Sequence, residues 1–351
     1  GEDAPKLPVQ AARLFYNADA RRRFEADLDQ SGARAAIFHN TFPVGSPSLF
    51  HAARKRGLPV IHYLHNFRPF SVGGTLYANG ALMPDALHGS LLPEIRAGVW
   101  RNSIVKTAAF ALMLRMLQRS GWMSSVKCWI AISDFMRDRI VESGTVAPEK
   151  IVTIRHAWDS MSKTPVYDDC GYYLFLGRLV DVKGVGVMLD AWDSLHAQLG
   201  KDTPPLHIAG QGPMLRDIEE RSRHNPYICS LGPISGEVKR DELRQCRGLV
   251  APSVWWEPLG LVAYEGFDHA KPVLASASGG LGEIITHGRN GLLHSPGSAE
   301  GLVNDVLTVE RMSLAEKKAM GAAGRSWLRR EADPGGWLDR FEDVLDRVLS
   351  E

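Results

Sequence analysis

The residue types best suited to chemistry gather between Ser253 and Leu293, in SVWWEPLGLVAYEGFDHAKPVLASASGGLGEIITHGRNGLL. An apolar run, LVAPS, reads as a strand end entering a loop. Trp255, Trp256, Glu257 and Pro258 follow, then a helical pattern from Leu259 to about His269. Pro258 suits a first helical turn, where its missing N–H has no partner to lose. Gly260 removes a side chain from that turn, so free N–H groups at the helix start can approach a ligand. Such a terminus carries partial positive charge and suits a phosphate or diphosphate. Glu265 lies about two turns in, among apolar residues, and a carboxylate there needs donors of the kind ribose hydroxyls provide. Spacing alone fits equally well a surface helix with two solvated glutamates.

Two further groups stand out. Arg178 and Lys183 flank a strand-to-helix turn in YYLFLGRLVDVKG, and Gly184 lets the backbone come close there. Two cations at such a turn can clamp a diphosphate, although as isolated charges they suit a solvated surface. His65 stands at the end of the strand PVIHYLH, at the carboxyl end where ligands bind in parallel sheets. His62, three residues earlier, reads as structural.

The elements that must hold these residues alternate. Short apolar runs at Ala35–His39, Pro59–His65, Lys127–Ser133 and Lys150–His156 are separated by helical stretches near Ser48–Arg56, Leu92–Met123 and up to Ser143. Residues 1–33 are polar and helical in tone. A polar linker, DSMSKTPVYDDCG, precedes a second series of runs at Tyr172–Gly177, Leu206–Met214 and YICSLG. This order argues for two parallel α/β domains. The tail from Ser313 reads as two amphipathic helices broken near Asp333–Gly336.

With 351 residues the chain accommodates two ordinary domains, and 44% hydrophobic with 23% charged residues describes a globular protein. A net charge of +1 gives no global drive toward nucleic acid. The four cysteines, Cys128, Cys170, Cys229 and Cys246, lack metal-ligand spacing and read as reduced thiols of a cytoplasmic protein. No apolar run is long enough to span a membrane, and no signal-peptide pattern opens the sequence.

The pair Glu257…Glu265 within EPLGLVAYEGFDHAKPVLAS, extended by ASGGLGEIITHGRNGLL, resembles the signature of retaining GT-B glycosyltransferases of family 4. The resemblance implies two Rossmann-like doubly wound parallel-sheet domains facing a cleft: an acceptor-side domain at 1–160, a nucleotide-sugar donor domain at 165–332, and a helix at 333–351 crossing back to the first. It implies that Glu257 faces the donor sugar, that Glu265 binds ribose, and that the N–H groups of Gly260 and Leu261 hold the diphosphate. Arg178 and Lys183 match the G-R…K-G motif with its diphosphate role. Gly210 and Gly212 match the G-x-G-P turn lining the donor pocket, and Gly232 and Pro233 stand where the family contacts the base. His65 matches the histidine that projects toward the donor sugar, with His39 and Asn40 expected on the acceptor side. No Asp-x-Asp motif stands in a fitting place, so metal-independent transfer is expected, with no cofactor and a UDP- or GDP-linked sugar as substrate.

Two departures qualify the resemblance. The family's N-G-V-D turn is here His156-Ala157-Trp158-Asp159. No apolar strand and glycine-rich loop precede Ala35, so the N-terminal domain is expected to be incomplete. That motivates a second reading, a catalytically silent nucleotide-sugar-binding or partner subunit. A nicotinamide dehydrogenase is disfavoured, because no G-x-G-x-x-G follows a first strand with an acidic residue about 20 positions on. The acceptor is expected to be a glycan or lipid-linked, as in polysaccharide synthesis. Arg96, Arg101, Lys106, Arg115, Arg119 and Lys127, among apolar residues of 96–127, suit a peripheral contact with the inner face of a membrane. They suit an ordinary domain helix with a wet basic side as well.

Overall fold

The computed structural model describes residues 7–159 and 165–350; residues 160–164 of the expected linker lie outside the described residues. The chain divides into two compact units, one of Gly1–Ile154 with Leu338–Glu351 and one of Arg155–Trp337.

The first unit opens with helices α1 (Leu7–Phe15) and α2 (Ala18–Ser31). Asn17 caps α2, its side chain accepting from Ala20 N. Strand β1 (Ala36–His39), helix α3 (Ser46–Lys55) and strand β2 (Val60–Leu64) follow, then a two-stranded hairpin of β3 (Tyr77–Ala78) and β4 (Ala81–Leu82). Helices α4 (Leu92–Ala97) and α5 (Ile104–Ser120) stand where one long helix was expected. Gly98 ends α4 with a left-handed φ of 60°, and Ser103 caps α5 through Lys106 N. Strand β5 (Val126–Ala131), helix α6 (Asp134–Glu142) and strand β6 (Ile151–Thr153) complete a four-stranded parallel sheet in the order β1-β2-β5-β6. All of β2 is buried, His62 included, as expected of an inner parallel strand covered on both faces. Its core packs Phe38, Phe50, Ile61, Phe110 and Met113.

The second unit runs β7 (Tyr173–Leu176), α7 (Val185–Leu199), β8 (Leu206–Ala209), α8 (Leu215–His224), β9 (Ile228–Gly232), α9 (Gly236–Gln245), β10 (Gly248–Ala251), α10 (Leu261–Asp268), β11 (Val273–Ser276), α11 (Gly280–Ile284), β12 (Gly291–His294), α12 (Ala299–Arg311) and α13 (Leu314–Glu331). Its six strands are parallel, in the order β12-β11-β10-β7-β8-β9. The chain starts at β7, builds outward through β8 and β9, then returns to β10 on the other side. The boundary between β7 and β10 is therefore a topological switch point, where loops diverge at the strands' carboxyl ends and leave room for a ligand. The core beneath is continuous, from Tyr173 and Trp192 through Val250 and Leu274 to Val306. Helix α14 (Pro334–Ser350) passes from the second unit into the first at Leu338. There it buries Val344 and Val348, and Arg347 Nη2 reaches Cys128 Sγ on β5 at 3.1 Å.

Candidate active site

The loops after β7 and β10 meet at the switch point. Val254 N donates to Val182 O at 3.0 Å, and a Cβ on Gly184 would collide with Pro252 O, so only glycine allows these backbones to touch. Across this contact Lys183 Nζ lies 2.9 and 2.7 Å from the two oxygens of Glu257. The same carboxylate accepts from Ser253 Oγ and Trp255 Nε1, each at 3.0 Å, and Glu257 is 8% exposed. Burying a charge with this many donors is tolerable where burying it alone is not. The lysine ammonium also sits 5.5 Å from the centroid of the Trp255 ring.

The loop below is held from β11. Ser276 Oγ and Ser278 Oγ donate to the carbonyls of Ser253 and Trp255, and Gly280 N donates to Glu257 O at 2.7 Å. Gly279 has φ 58°, and a Cβ there would run into the Glu257 backbone; one on Gly280 would lie 2.6 Å from Leu259 Cα. The paired glycines thus set how deeply the Glu257 turn can seat. Helix α10 starts at Leu261, later than expected, and Pro258 lies outside it, buried in the turn. The residue before the helix is Gly260, with φ 94° and no side-chain cap, so the N–H groups of Leu261 and Val262 lack intrahelical partners, while Ala263 N donates to Gly260 O at 2.9 Å. Leu261 itself is exposed.

A pocket of about 270 Å³ adjoins the β7, β8 and β9 ends and brings together Arg178, Gly210, Gln211, Pro233, Lys239 and Glu265. Arg178 is exposed and has no ion-pair partner among the described residues. Lys239 Nζ is 2.8 Å from Glu265 Oε2, a close ion contact without hydrogen-bond geometry, so that buried oxygen keeps its acceptor capacity. Gly210 N donates to Gly232 O at 2.9 Å. Side chains on Gly210 or Gly212 would strike the backbone of Gly177 or Leu179, so these glycines let two loops touch, and only Gly210 reaches the pocket lining. Gly232, with φ 65°, ends β9 beside Pro233.

Comparison with known proteins bears on the segment that holds these groups. The family described as Glycosyl transferases group 1 matches residues 171–311, the segment that carries every one of these groups. Residues 171–311 match the glycosyltransferases of that group, and the chain has the GT-B fold. An uncharacterized glycosyltransferase of Methanocaldococcus jannaschii is 27% identical over 283 residues, 78% of this chain and 71% of the relative. A GDP-mannose-dependent alpha-(1-6)-phosphatidylinositol monomannoside mannosyltransferase of Mycobacterium tuberculosis is 30% identical over 165 residues, 44% of this chain and 41% of the relative. Among solved structures, Anabaena HepE in complex with UDP superposes with a TM-score of 0.67 at 16% identity, over 92% of this chain and 82% of that one. Sucrose-phosphate synthase from Thermosynechococcus elongatus gives 0.68 at 17%, over 97% and 80%.

In the first unit, His65 follows β2 and His39 ends β1. Their rings stack, with His39 Nδ1 2.8 Å from His65 Nε2. Burial lowers the pKa of both, and for His65 the charge on His39 adds to the effect. The pair shares one proton more readily than it holds two. Asn66 Nδ2 donates to Asn40 Oδ1 at 3.3 Å beside it. His62 is the structural residue expected, stacked on Trp129, neither ring nitrogen hydrogen-bonded, its pKa pushed down to about 3 chiefly by burial.

Sequence reasoning passed over Lys239, Ser253 and the Trp255 indole as site groups. Lys239 carried one signal: a cation in the first turns of a helix opposes the helix dipole and calls for another reason to be there. Ser253 and Trp255 carried none, because a buried carboxylate does not announce its donors. The expected division of labour between Lys183 and Glu257 also changes. The two are direct partners, so each meets a ligand with part of its charge already balanced by the other.

Proposed function

We propose that this protein is a glycosyltransferase that moves a sugar from a nucleotide-diphosphate donor to a glycan or lipid-linked acceptor with retention of anomeric configuration. The observation that carries the reading is the switch-point cluster: the Glu257 carboxylate ringed by Lys183, Ser253 and Trp255, one turn of chain from the uncapped start of α10. The diphosphate would take the N–H groups of Leu261 and Val262 together with Arg178 and Lys183, and the ribose would take the free acceptor of Glu265. As the anomeric C–O bond breaks, its electron pair leaves on the β-phosphate oxygen, where cations and the helix start stabilise the growing charge. The acceptor oxygen bonds the same face of the sugar, and its proton goes to the departing phosphate. Cations of the chain would carry this charge, so transfer is expected to survive EDTA. The His39–His65 pair would serve the sugar and acceptor step.

The acceptor reading draws on a surface of α5, where Ile104 (59% exposed), Val105 (78%) and Leu112 (62%) stand clear of the core among the exposed Arg101, Lys106 and Arg119. That combination suits the interface of an anionic lipid layer. No described helix is long and apolar enough to cross a membrane. The decisive experiment titrates UDP and GDP into the wild type and Glu265→Ala. One nucleotide diphosphate should bind the wild type, and the substitution should weaken it about ten- to a hundredfold, as expected for a charge-assisted hydrogen bond worth about 1.5–3 kcal/mol. Equal affinity in both proteins removes Glu265 from the site.

A further inference from the structure

The first unit contains a cavity of about 500 Å³ that none of the groups above enters. Val126 opens β5 and Lys150 immediately precedes β6, so the cavity lies at the amino ends of these strands. His39 and His65 lie at the carboxyl ends of β1 and β2. All four strands are parallel, which puts the cavity and the histidine pair at opposite edges of one sheet.

The cavity floor is apolar and partly aromatic. Phe70 and Trp129 meet with ring centroids 5.4 Å apart, and Leu87 and Val146 are buried beside them. Thr145 Oγ1 donates to Leu87 O at 2.9 Å and ties one wall to the other. The rim is basic. Arg115 and Lys150 line it, neither has an ion-pair partner among the described residues, and no aspartate or glutamate lines the cavity. The Arg115 guanidinium lies against Gly89, whose φ is 87° and whose Cβ, if present, would come within 3.0 Å of Nη1. A glycine at this left-handed position thus gives the arginine its seat. Gln118 and Ser124 add neutral hydrogen-bonding groups.

A half-buried guanidinium with no counter-ion, above an aromatic floor, is the arrangement that an incoming anion completes. The volume is within the range of small-molecule sites. We propose that this cavity is a second binding site, separate from the donor site, for a small organic anion: a phosphate monoester or carboxylate on a flat apolar body. The apolar body lies on Phe70 and Trp129, and the anionic head takes Arg115 and Lys150.

Calorimetric titration of the full chain with benzyl phosphate, phenylacetate and uncharged benzyl alcohol tests this. At least one of the two anions should bind saturably with one site per chain, at least about tenfold more tightly than the alcohol. Whichever anion binds better identifies the headgroup. Arg115→Gln and Lys150→Glu should each weaken that anion about tenfold and leave nucleotide diphosphate affinity unchanged. Lys150 is exposed, so Lys150→Glu decides the matter if Arg115→Gln fails to fold. The site is given up if neither anion saturates at millimolar concentration, if benzyl alcohol binds equally well, or if Lys150→Glu binds the better anion as the wild type does.

Discussion

Lys183 and Glu257 neutralise one another at the bottom of the switch-point loops, with side chains only 22% and 10% exposed. Replacing Glu257 by Gln keeps the shape and the bonds to Ser253 and Trp255 but frees the full charge of the ammonium for a diphosphate. Glu257→Gln should therefore bind nucleotide diphosphate as tightly as the wild type or more so, while transfer falls at least about tenfold. A tenfold loss of nucleotide affinity, measured by calorimetry, would show that the carboxylate itself holds the nucleotide. His62 gives a second test at this scale. Its folded pKa of about 3 lies below the unfolded value of 6.5, so its stabilising contribution is complete above pH 6.5 and is lost as pH falls toward 3. The slope is roughly 1.4 kcal/mol per pH unit in that window. His62→Phe, which packs against the same aromatic neighbours without a titrating group, should flatten the pH dependence of urea unfolding between pH 6.5 and 5. Identical slopes for the two proteins would mean that His62 is not buried in its neutral form. At this scale the sequence showed which residues carry charge and spacing, since Arg178, Lys183 and Glu257 stand in the second unit's loops and Glu265 on α10. It could not show the pairing of Lys183 with Glu257, because that contact joins loops separated by 74 positions and exists only once the sheet has formed.

Among the elements, the short helix α10 depends on a glycine pair that belongs to another segment. Gly279 combines a left-handed φ with backbone contact against Glu257, whereas Gly297 has φ 81° and nothing within 4 Å of its missing Cβ. Gly279→Ala should cost several kcal/mol and abolish nucleotide binding, because the Glu257 turn must move. Gly297→Ala should cost only about 1 kcal/mol, the strain of the left-handed conformation alone. Thermal denaturation with and without nucleotide separates the two, and similar losses in both variants would deny the glycine pair its positioning role. Strands β1, β2, β5 and β7 were legible in the sequence to within a residue or two, because parallel strands read as apolar runs; the run Lys150–His156 overshoots β6, and no run was read for β3, β4, β11 or β12. Helix limits were less legible. The break at Gly98 and the late start of α10 each depend on a glycine in the left-handed region, and hydrophobic spacing is blind to φ.

For the whole chain, the two units have separate cores, and the groups assigned to the nucleotide all belong to Arg155–Trp337. A nucleotide diphosphate at a hundred times its dissociation constant should raise the stability of that unit by about 2.7 kcal/mol and leave the other as it was. Scanning calorimetry would then show one of two transitions moving; a single transition that moves as a whole would mean that the units unfold together. The passage of α14 into the first unit has a further consequence, which concerns time. The first unit is made of two stretches of chain with the entire second unit synthesised between them. At about 5–20 residues per second the ribosome needs on the order of ten to forty seconds to cross that interval. Throughout it, Cys128 on β5 lacks the Arg347 that later reaches it, while the second unit is a continuous segment able to fold as it emerges. The second unit is thus finished before the first, which stays incomplete until the seventeen residues of α14 have been made.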